Sequence, residues 1–251
     1  MAAPVTLPRL SWGDPRSPRH ALLVHGLGSS AALMWRYAVA LADAGWRADA
    51  VDLRGHGAAP RTLDYTIDAY AADLLHTAAD DDEPWDLVVA HSLGGAAATL
   101  ASATAPAWAR RLVLIDPAIH LADRDRATVR ASQERAFADT SARAVRAEHP
   151  NWHDLDVELK ATAAEQASRY AVEQTSVQNT PWDVRDAAQR LTVPTHVIAG
   201  DPAVYSIFDG DLAASVLQNP VVSMTVVPGT GHSPHRDDPD AAAAALMTWI
   251  A

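Results

Sequence analysis

The stretch VVAHSLGGA, residues 88–96, decides how this chain is interpreted. Its first residues form an apolar run, and an alanine-rich stretch of high helical propensity follows its glycines. Ser92 is therefore predicted on a tight turn between a buried strand and a helix, with its hydroxyl exposed. On such a turn the Leu93 amide and the N-terminus of the helix can stabilise an oxyanion. The usual pattern is G-x-S-x-G, and Ala90 stands in place of its first glycine.

Apolar runs that end in turn residues recur along the chain, and helical stretches separate them. This alternation predicts an α/β fold with a doubly wound, mostly parallel sheet. The residues that carry chemistry follow the carboxyl ends of these runs, where open α/β sheets have their ligand crevice. The runs cover residues 20–25, 47–53, 85–91, 111–115, 195–200 and 221–227.

The alternation stops between residues 119 and 190, where the sequence is helical and charged. The pattern predicts an amphipathic helix over 127–149, with room for an interruption, and another over 154–174. We expect these helices to form a cap over the crevice, inserted into a core made of residues 1–118 and 191–251. The alternative is that they simply cover the sheet.

Three other segments carry groups that complement Ser92. The loop VHGLG follows an early strand and would present the Leu27 amide to the same crevice. In PGTGHSP, His232 lies in a loop after the last strand, where an imidazole can take up and return a proton. In AGDP, Asp201 ends a strand and could orient that imidazole.

In combination, these segments resemble the α/β-hydrolase superfamily over nearly the whole chain. The segments DLRGHG, residues 52–57, and LIDPA, residues 114–118, also resemble its loops. The resemblance implies that Ser92 is the nucleophile and His232 the base. It further implies an oxyanion hole made by the Leu27 and Leu93 amides, an acyl-serine intermediate, and no metal or organic cofactor.

The identity of the acid stays open at this point. Many relatives place it three residues after the glycine of a G-x-x-D turn, and here Ala203 occupies that position. Asp201 is the first candidate. Asp116 is its main competitor, because some relatives take the acid from that earlier strand end.

Four further side chains are candidates for the substrate pocket. His25 and His91 flank the predicted crevice, and Trp152 and Trp182 lie in the predicted cap. The aromatic pair would supply an apolar surface for an acyl group. Core packing explains the same residues equally well.

Composition excludes several classes of protein. The formal net charge of -11 disfavours binding to nucleic acid or to anionic lipid, and the absence of cysteine excludes a cysteine nucleophile and thiolate metal sites. The N-terminal region has no apolar run that predicts a signal peptide or membrane anchor, so we expect a cytoplasmic protein. The sequence does not indicate an oligomeric state.

The expected function is that of a carboxylesterase acting on a small to medium uncharged ester or lactone. The uncharged substrate is expected because the sequence contains no basic cluster. Alternatives on the same fold are a carbon–carbon bond hydrolase or lyase, and a ligand receptor without hydrolytic activity. Residues 26–31 match G-x-G-x-x-A, but a dinucleotide-dependent oxidoreductase would leave Ser92 and His232 unexplained.

Overall fold

A computed structural model describes residues 3–79 and 83–251. Within them, seven strands form one sheet in the order β1-β3-β2-β4-β5-β6-β7. All neighbours in this sheet are parallel except β1, which pairs antiparallel with β3. The strands are β1 Arg9–Trp12, β2 His20–Val24, β3 Arg47–Val51, β4 Leu87–His91, β5 Leu112–Ile115, β6 Thr195–Ala199 and β7 Val222–Val226.

Each of the six predicted runs contains one of the strands β2 to β7, and the predicted fold class is confirmed. The central strands β4, β5 and β6 are buried along their whole length, as expected for parallel strands covered on both faces. The order reverses between β2 and β4, because the chain first adds β3 on one side of β2 and then crosses to the other. A crevice is expected at this switch point.

Helices cover both faces of the sheet. Each face of the sheet has its own hydrophobic core. Helices α1 and α11 contribute to the core on one face, and α2, α3, α8 and α9 contribute to the core on the other. The helices are α1 Trp35–Asp43, α2 Ile67–Leu75, α3 Leu93–Thr104, α4 Asp123–Ala138, α5 Ala142–Glu148, α6 Asp154–Gln166, α7 Arg169–Gln178, α8 Arg185–Gln189, α9 Gly210–Val216, α10 Pro234–Asp237 and α11 Pro239–Ile250. No helix in the described ranges is long and apolar enough to span a membrane.

Helices α4 to α7 connect β5 to β6, in the region where the sequence predicts helices. Both amphipathic stretches are broken into two helices, because Ser141 and Ser168 adopt extended backbone and cap α5 and α7 with their side chains. Asp156 on α6 attaches this segment to α1 by accepting hydrogen bonds from Trp35 and Arg36. Helix α8, although within residues 119–190, packs against α3 on the sheet.

Candidate active site

Ser92 lies on the turn between β4 and α3, as the sequence predicts. Its φ of 53° and ψ of -116° are unusual for a residue with a side chain, and such strain is typical of a nucleophile on a strand-to-helix turn. Two backbone hydrogen bonds, one to the end of β5 and one to the segment after it, hold the turn. The Ser92 amide donates to the Ile115 carbonyl at 3.1 Å, and the Ala118 amide donates to the Ser92 carbonyl at 3.0 Å.

His232 and Asp116 complete a hydrogen-bonded chain that starts at this serine. The Ser92 hydroxyl donates to His232 Nε2 at 3.0 Å. On the other side of the ring, His232 Nδ1 donates to Asp116 Oδ2 at 2.6 Å. The three side chains therefore have the connectivity in which an imidazole, oriented by a carboxylate, can remove a proton from a hydroxyl.

The Asp116 carboxylate is completely buried and surrounded by donors. Its Oδ1 accepts from the Gly200 amide at 3.2 Å and from the Ser206 hydroxyl, and its Oδ2 accepts from the Ile207 amide at 3.1 Å as well as from His232. Charge-assisted hydrogen bonds of this kind fix the carboxylate in one orientation and compensate for its burial. Asp116 directly follows β5, and its backbone has a positive φ of 36°.

Asp201, the first candidate for the acid, does not contact His232. Its carboxylate accepts from the Ala203 and Gly229 amides, each at 2.8 Å, and these two hydrogen bonds lower its pKa, with Gly229 contributing most. The expectation that Asp201 orients the imidazole is therefore wrong in this structure. The physical reason is that the chain turns after Gly200. The Asp201 carboxylate therefore accepts hydrogen bonds from the loop backbone, whereas the Gly200 amide donates to Asp116.

The loop after β2 passes directly beside the serine. A Cβ atom at Gly26 would lie 2.9 Å from Ser92 Cβ and 2.9 Å from His91 Nδ1, so this close approach requires glycine. The next residue is Leu27. At the other side of Ser92, Leu93 begins α3, where the first amides of a helix have no acceptor within the helix. Both predicted oxyanion-hole amides therefore belong to backbone segments adjacent to Ser92.

Two buried histidines hold this loop, and His25 is one of them. His25 Nδ1 donates to the Gly26 carbonyl at 2.7 Å and its Nε2 accepts from the Leu53 amide at 3.0 Å. His56 Nε2 accepts from the Gly28 amide at 3.0 Å. Burial lowers the pKa of His25 to about 4 and that of His56 to about 3, so both rings are neutral at pH 7.

A cavity of about 550 Å³ lies between the strand ends and helices α4 to α6. Its wall contains Ser92, His232 and Leu27, together with His91 and Trp152 from the predicted pocket. The other two predicted pocket residues are not part of this wall. His25 is fully used in holding the loop, and Trp182 is buried in the core, where its Nε1 donates to the Ala118 carbonyl at 2.6 Å.

His91 and Trp152 support the loop that carries His232. His91 Nε2 donates to the His232 carbonyl at 2.9 Å, and burial keeps its pKa well below the ordinary value, so the ring is neutral. Trp152 Nε1 donates to Asp237 Oδ1 at 2.7 Å, while Asp237 Oδ2 accepts from the Gly231 amide at 2.8 Å. Both side chains therefore line the cavity and stabilise the position of the imidazole.

The same wall contains Arg135, which is paired with Glu148, and two further cationic side chains that the sequence does not single out, Lys160 and Arg236. The expectation of an uncharged substrate depended on the absence of a basic cluster, and folding creates one from residues 76 positions apart in the chain. Sequence spacing gives no signal for such a pair. In the ranges 3–79 and 83–251, no group of three or more His, Asp or Glu side chains is arranged to hold a metal ion.

Comparison with known proteins gives three findings of note. A family profile described as "Alpha/beta hydrolase family" matches residues 21–245. The chain is 35% identical to Lipase LipV of Mycobacterium tuberculosis over 107 residues, which are 43% of this chain and 40% of that protein. It is 38% identical to Esterase PIR7B of Oryza sativa subsp. japonica over 89 residues, 34% of this chain and 33% of that protein.

Among solved structures, E-2-(acetamidomethylene)succinate hydrolase superposes with a TM-score of 0.81, over 98% of this chain and 95% of that chain. The sequences are 24% identical, so this similarity shows the fold alone. The matched regions span less than half the length of the two curated relatives.

Proposed function

The chain belongs to the α/β-hydrolase family, and we propose that it hydrolyses a carboxylic ester through an acyl intermediate on Ser92. The observation that carries the proposal is the hydrogen-bonded series from Ser92 Oγ through His232 to Asp116, with distances of 3.0 and 2.6 Å. Its position in the wall of a cavity gives a small molecule access to the hydroxyl. The names of the two relatives, a lipase and an esterase, favour an ester as the substrate.

In the first half of the reaction, the Ser92 oxygen attacks the acyl carbon while His232 Nε2 takes its proton. Asp116 keeps the Nδ1 proton of the ring in place and stabilises the imidazolium that forms. The C–O bond to the alcohol then breaks, and the imidazolium returns the proton to the leaving alkoxide. The product of this half-reaction is an acyl ester of Ser92 and a free alcohol.

The Leu27 and Leu93 amides are the proposed donors to the carbonyl oxygen as it becomes an oxyanion. Their backbone segments meet at Ser92, and the neutral His25 and His56 rings fix the Leu27 loop before substrate arrives. Donors held in place in this way need no rearrangement during the reaction. Removing one such donor in a hydrolase costs roughly 100- to 1,000-fold in kcat.

In the second half, a water molecule attacks the acyl-serine. His232 accepts a proton from that water and returns it to Ser92 Oγ, so the enzyme is regenerated and a carboxylic acid is released. Residues 119–190 are proposed to act as the cap, with the exception of α8, which packs on the sheet. Helices α4 to α6 contribute to the cavity wall and thereby limit the size of the acyl group and the access of water.

Hydrolysis of a series of 4-nitrophenyl esters, from acetate to palmitate, tests the proposal. We expect Ser92→Ala to lower kcat at least 10,000-fold or so, as loss of a catalytic serine does elsewhere. Ser102→Ala, at a buried serine on the helix that follows Ser92, is the matched control and should keep wild-type turnover. A wild-type protein that turns over no ester and is not acylated by a fluorophosphonate would contradict the proposal and favour a receptor or lyase.

A further inference from the structure

Three cationic side chains lie in the wall of the cavity that contains Ser92, and one of them, Arg135, is paired with Glu148. Arg236 is on α10, four residues after His232, and Lys160 extends from α6. Arg236 is only 4% exposed. Because the chain has a formal net charge of -11, three cations in this wall do not follow from a generally basic surface.

The charges of Asp156 and Asp237 favour the protonated form of the Arg236 guanidinium, but it forms no ion pair within the described residues. Its Nη1 donates to the Ser233 hydroxyl at 3.3 Å, but Nε and Nη2 are buried and have no acceptor within the described residues. Trp152 places its ring centre 5.3 Å from the guanidinium carbon, which replaces only part of the lost hydration. Burial lowers the pKa of Arg236 to about 10, so the group stays charged at pH 7. A buried, unpaired charge of this kind is destabilising unless a ligand compensates it.

Lys160 is also incompletely satisfied. Its Nζ donates one hydrogen bond, at 2.8 Å, to the Gly28 carbonyl in the loop that carries Leu27, and no second acceptor is found in the part of the chain that the structure describes. Burial and, to a lesser extent, the positive charge of Arg236 lower the pKa of Lys160 to about 8, against an opposing effect of Glu148. The two cations are therefore close enough to repel each other, and an anion beside them would relieve that repulsion.

The acids of the same wall are already engaged. Asp237 accepts from Trp152 and from the Gly231 amide, and Glu148 forms an ion pair with Arg135 at 3.0 Å. The Asp237 charge favours the protonated form of Arg236, and the Glu148 charge that of Lys160, but neither acid forms an ion pair with these cations. We therefore expect a direct ion-pair partner for the two cations to come from outside the chain.

We infer that the substrate carries a carboxylate, which binds to the Arg236 guanidinium and the Lys160 ammonium while its scissile acyl carbon lies at Ser92. The inference rests on the proposed function, because it assigns a substrate class to the same cavity. A planar carboxylate can accept two parallel hydrogen bonds from a guanidinium, and Nε and Nη2 of Arg236 are the two donors on one edge of that group. Both atoms are buried, so the proposed contact requires the guanidinium to turn towards the cavity when the carboxylate binds. Lys160 supplies a second point charge.

Two esters of equal acyl length test the inference: mono-4-nitrophenyl adipate, which ends in a carboxylate, and 4-nitrophenyl hexanoate, which ends in a methyl group. We expect kcat/KM of the wild-type protein to be at least about tenfold higher for the adipate ester than for the hexanoate ester. Arg236→Gln should lower kcat/KM for the adipate ester about 100-fold, mostly through KM, and change that for the hexanoate ester by less than about threefold. Lys160→Gln should lower kcat/KM for both esters, because it removes the hydrogen bond to the Gly28 carbonyl in the Leu27 loop, and should lower it more for the adipate ester.

Arg130→Gln is the matched control, since Arg130 is an exposed arginine on α4 that pairs with Glu134 outside the cavity wall. It should leave the preference unchanged. Equal losses on both esters in Arg236→Gln, or no preference in the wild-type protein, would overturn the inference. If Arg236→Gln does not fold, Lys160→Gln gives the same comparison.

Binding to the Ser92→Ala protein separates this inference from the proposed function. Calorimetric titration should show that monomethyl adipate binds and that dimethyl adipate binds at least about tenfold more weakly. Binding of monomethyl adipate without turnover of any ester by the wild-type protein would remove the hydrolytic function and keep the carboxylate site. Turnover of the hexanoate ester without such binding, or binding of inorganic phosphate in its place, would overturn the carboxylate site alone.

Discussion

Two neighbouring strands of the sheet, β5 and β6, are each followed by an aspartate, and the two carboxylates differ in burial and in hydrogen-bond donors. Asp116 follows β5, is completely buried, and accepts hydrogen bonds from two amides, the Ser206 hydroxyl and the His232 ring. Asp201 follows β6, is partly exposed, and accepts only from the backbone of its own turn and of the loop before His232.

The difference depends on where the chain goes after Gly200. A Cβ atom at this glycine would lie 2.3 Å from the Gly231 carbonyl oxygen, so the loop that carries His232 passes directly over it. The Asp201 amide donates to the Thr230 carbonyl, and its side chain accepts from the Gly229 amide. One aspartate thus binds the ring of His232, while the other holds the loop from which that ring extends.

Exchanging each carboxylate for its amide should give the largest contrast. We expect Asp116→Asn to lower kcat roughly 1,000- to 10,000-fold, because an amide at this position favours the wrong tautomer of the imidazole. Asp201→Asn should keep kcat within about threefold of the wild-type value, because its side chain lies outside the proton-transfer chain. Steady-state hydrolysis of a 4-nitrophenyl ester measures both. Similar losses in the two variants would break the distinction.

A smaller effect is expected from Ser206, whose hydroxyl donates to the Asp116 carboxylate. Ser206→Ala removes one hydrogen bond to a buried charge, and we expect kcat to fall about tenfold with KM unchanged. Ser102→Ala again serves as the buried serine control. A change in KM alone would show that Ser206 does not act through Asp116.

The histidines allow a related contrast between a ring in the reaction and a ring in the scaffold. Burial lowers the pKa of His56 to about 3, below the ordinary value of 6.5 in the unfolded chain. Between pH 6.5 and 3 the His56 ring is therefore protonated in the unfolded state but not in the folded state. Stability is lost as the pH falls through this range. His56→Gln should lower the slope of the unfolding free energy against pH by about 1.4 kcal/mol per pH unit between pH 6 and 4.

Urea unfolding at a series of pH values measures this slope. The exposed His76→Gln is the control and should leave it unchanged, because its side chain is on the surface. A slope in His56→Gln equal to that of the wild-type protein would mean that the His56 ring takes up its proton in the folded state as readily as in the unfolded chain.

The smallest effect is expected for the stability of Asp201→Asn. Loss of the charge weakens the hydrogen bonds from the Gly229 and Ala203 amides, and we expect Tm at pH 7 to fall by about 2 °C. Because these bonds lower the pKa of Asp201, the stability they give is present above the unfolded pKa and disappears as the pH falls through the folded one. Thermal unfolding at pH 7 and pH 3 should therefore show a smaller difference at the lower pH. A difference that grows on acidification would contradict this role.

Local patterns explain how much of the fold could be predicted. Strands β2 to β7 are continuous apolar runs, and the turn at Ser92 combines a strand, small residues and a helix within nine positions. Strand β1 was not predicted, because its sequence RLSW is short and mostly exposed at the edge of the sheet. The break at Ser168 was missed because the residues around it have good helical propensity and only the cap marks a new helix.

Long-range contacts explain what the sequence did not predict. Asp116 and Asp201 both follow strands, and no spacing rule distinguishes the one whose carboxylate reaches His232, 116 residues away. Trp182 was predicted to line the pocket, but its indole donates to the Ala118 carbonyl in the core. Arg236 and Lys160 come to the same wall through the docking of α6, where Asp156 accepts hydrogen bonds from Trp35 and Arg36.

The most direct test of the account is the rate at which a fluorophosphonate modifies Ser92, followed by intact-protein mass spectrometry and located by peptide mapping. We predict a single adduct on Ser92 in the wild-type protein and in Asp201→Asn at similar rates, labelling at least about 100-fold slower in Asp116→Asn, and none in Ser92→Ala. Labelling of Asp116→Asn at the wild-type rate, or slow labelling of Asp201→Asn, would contradict the assignment of Asp116 as the acid that activates this serine.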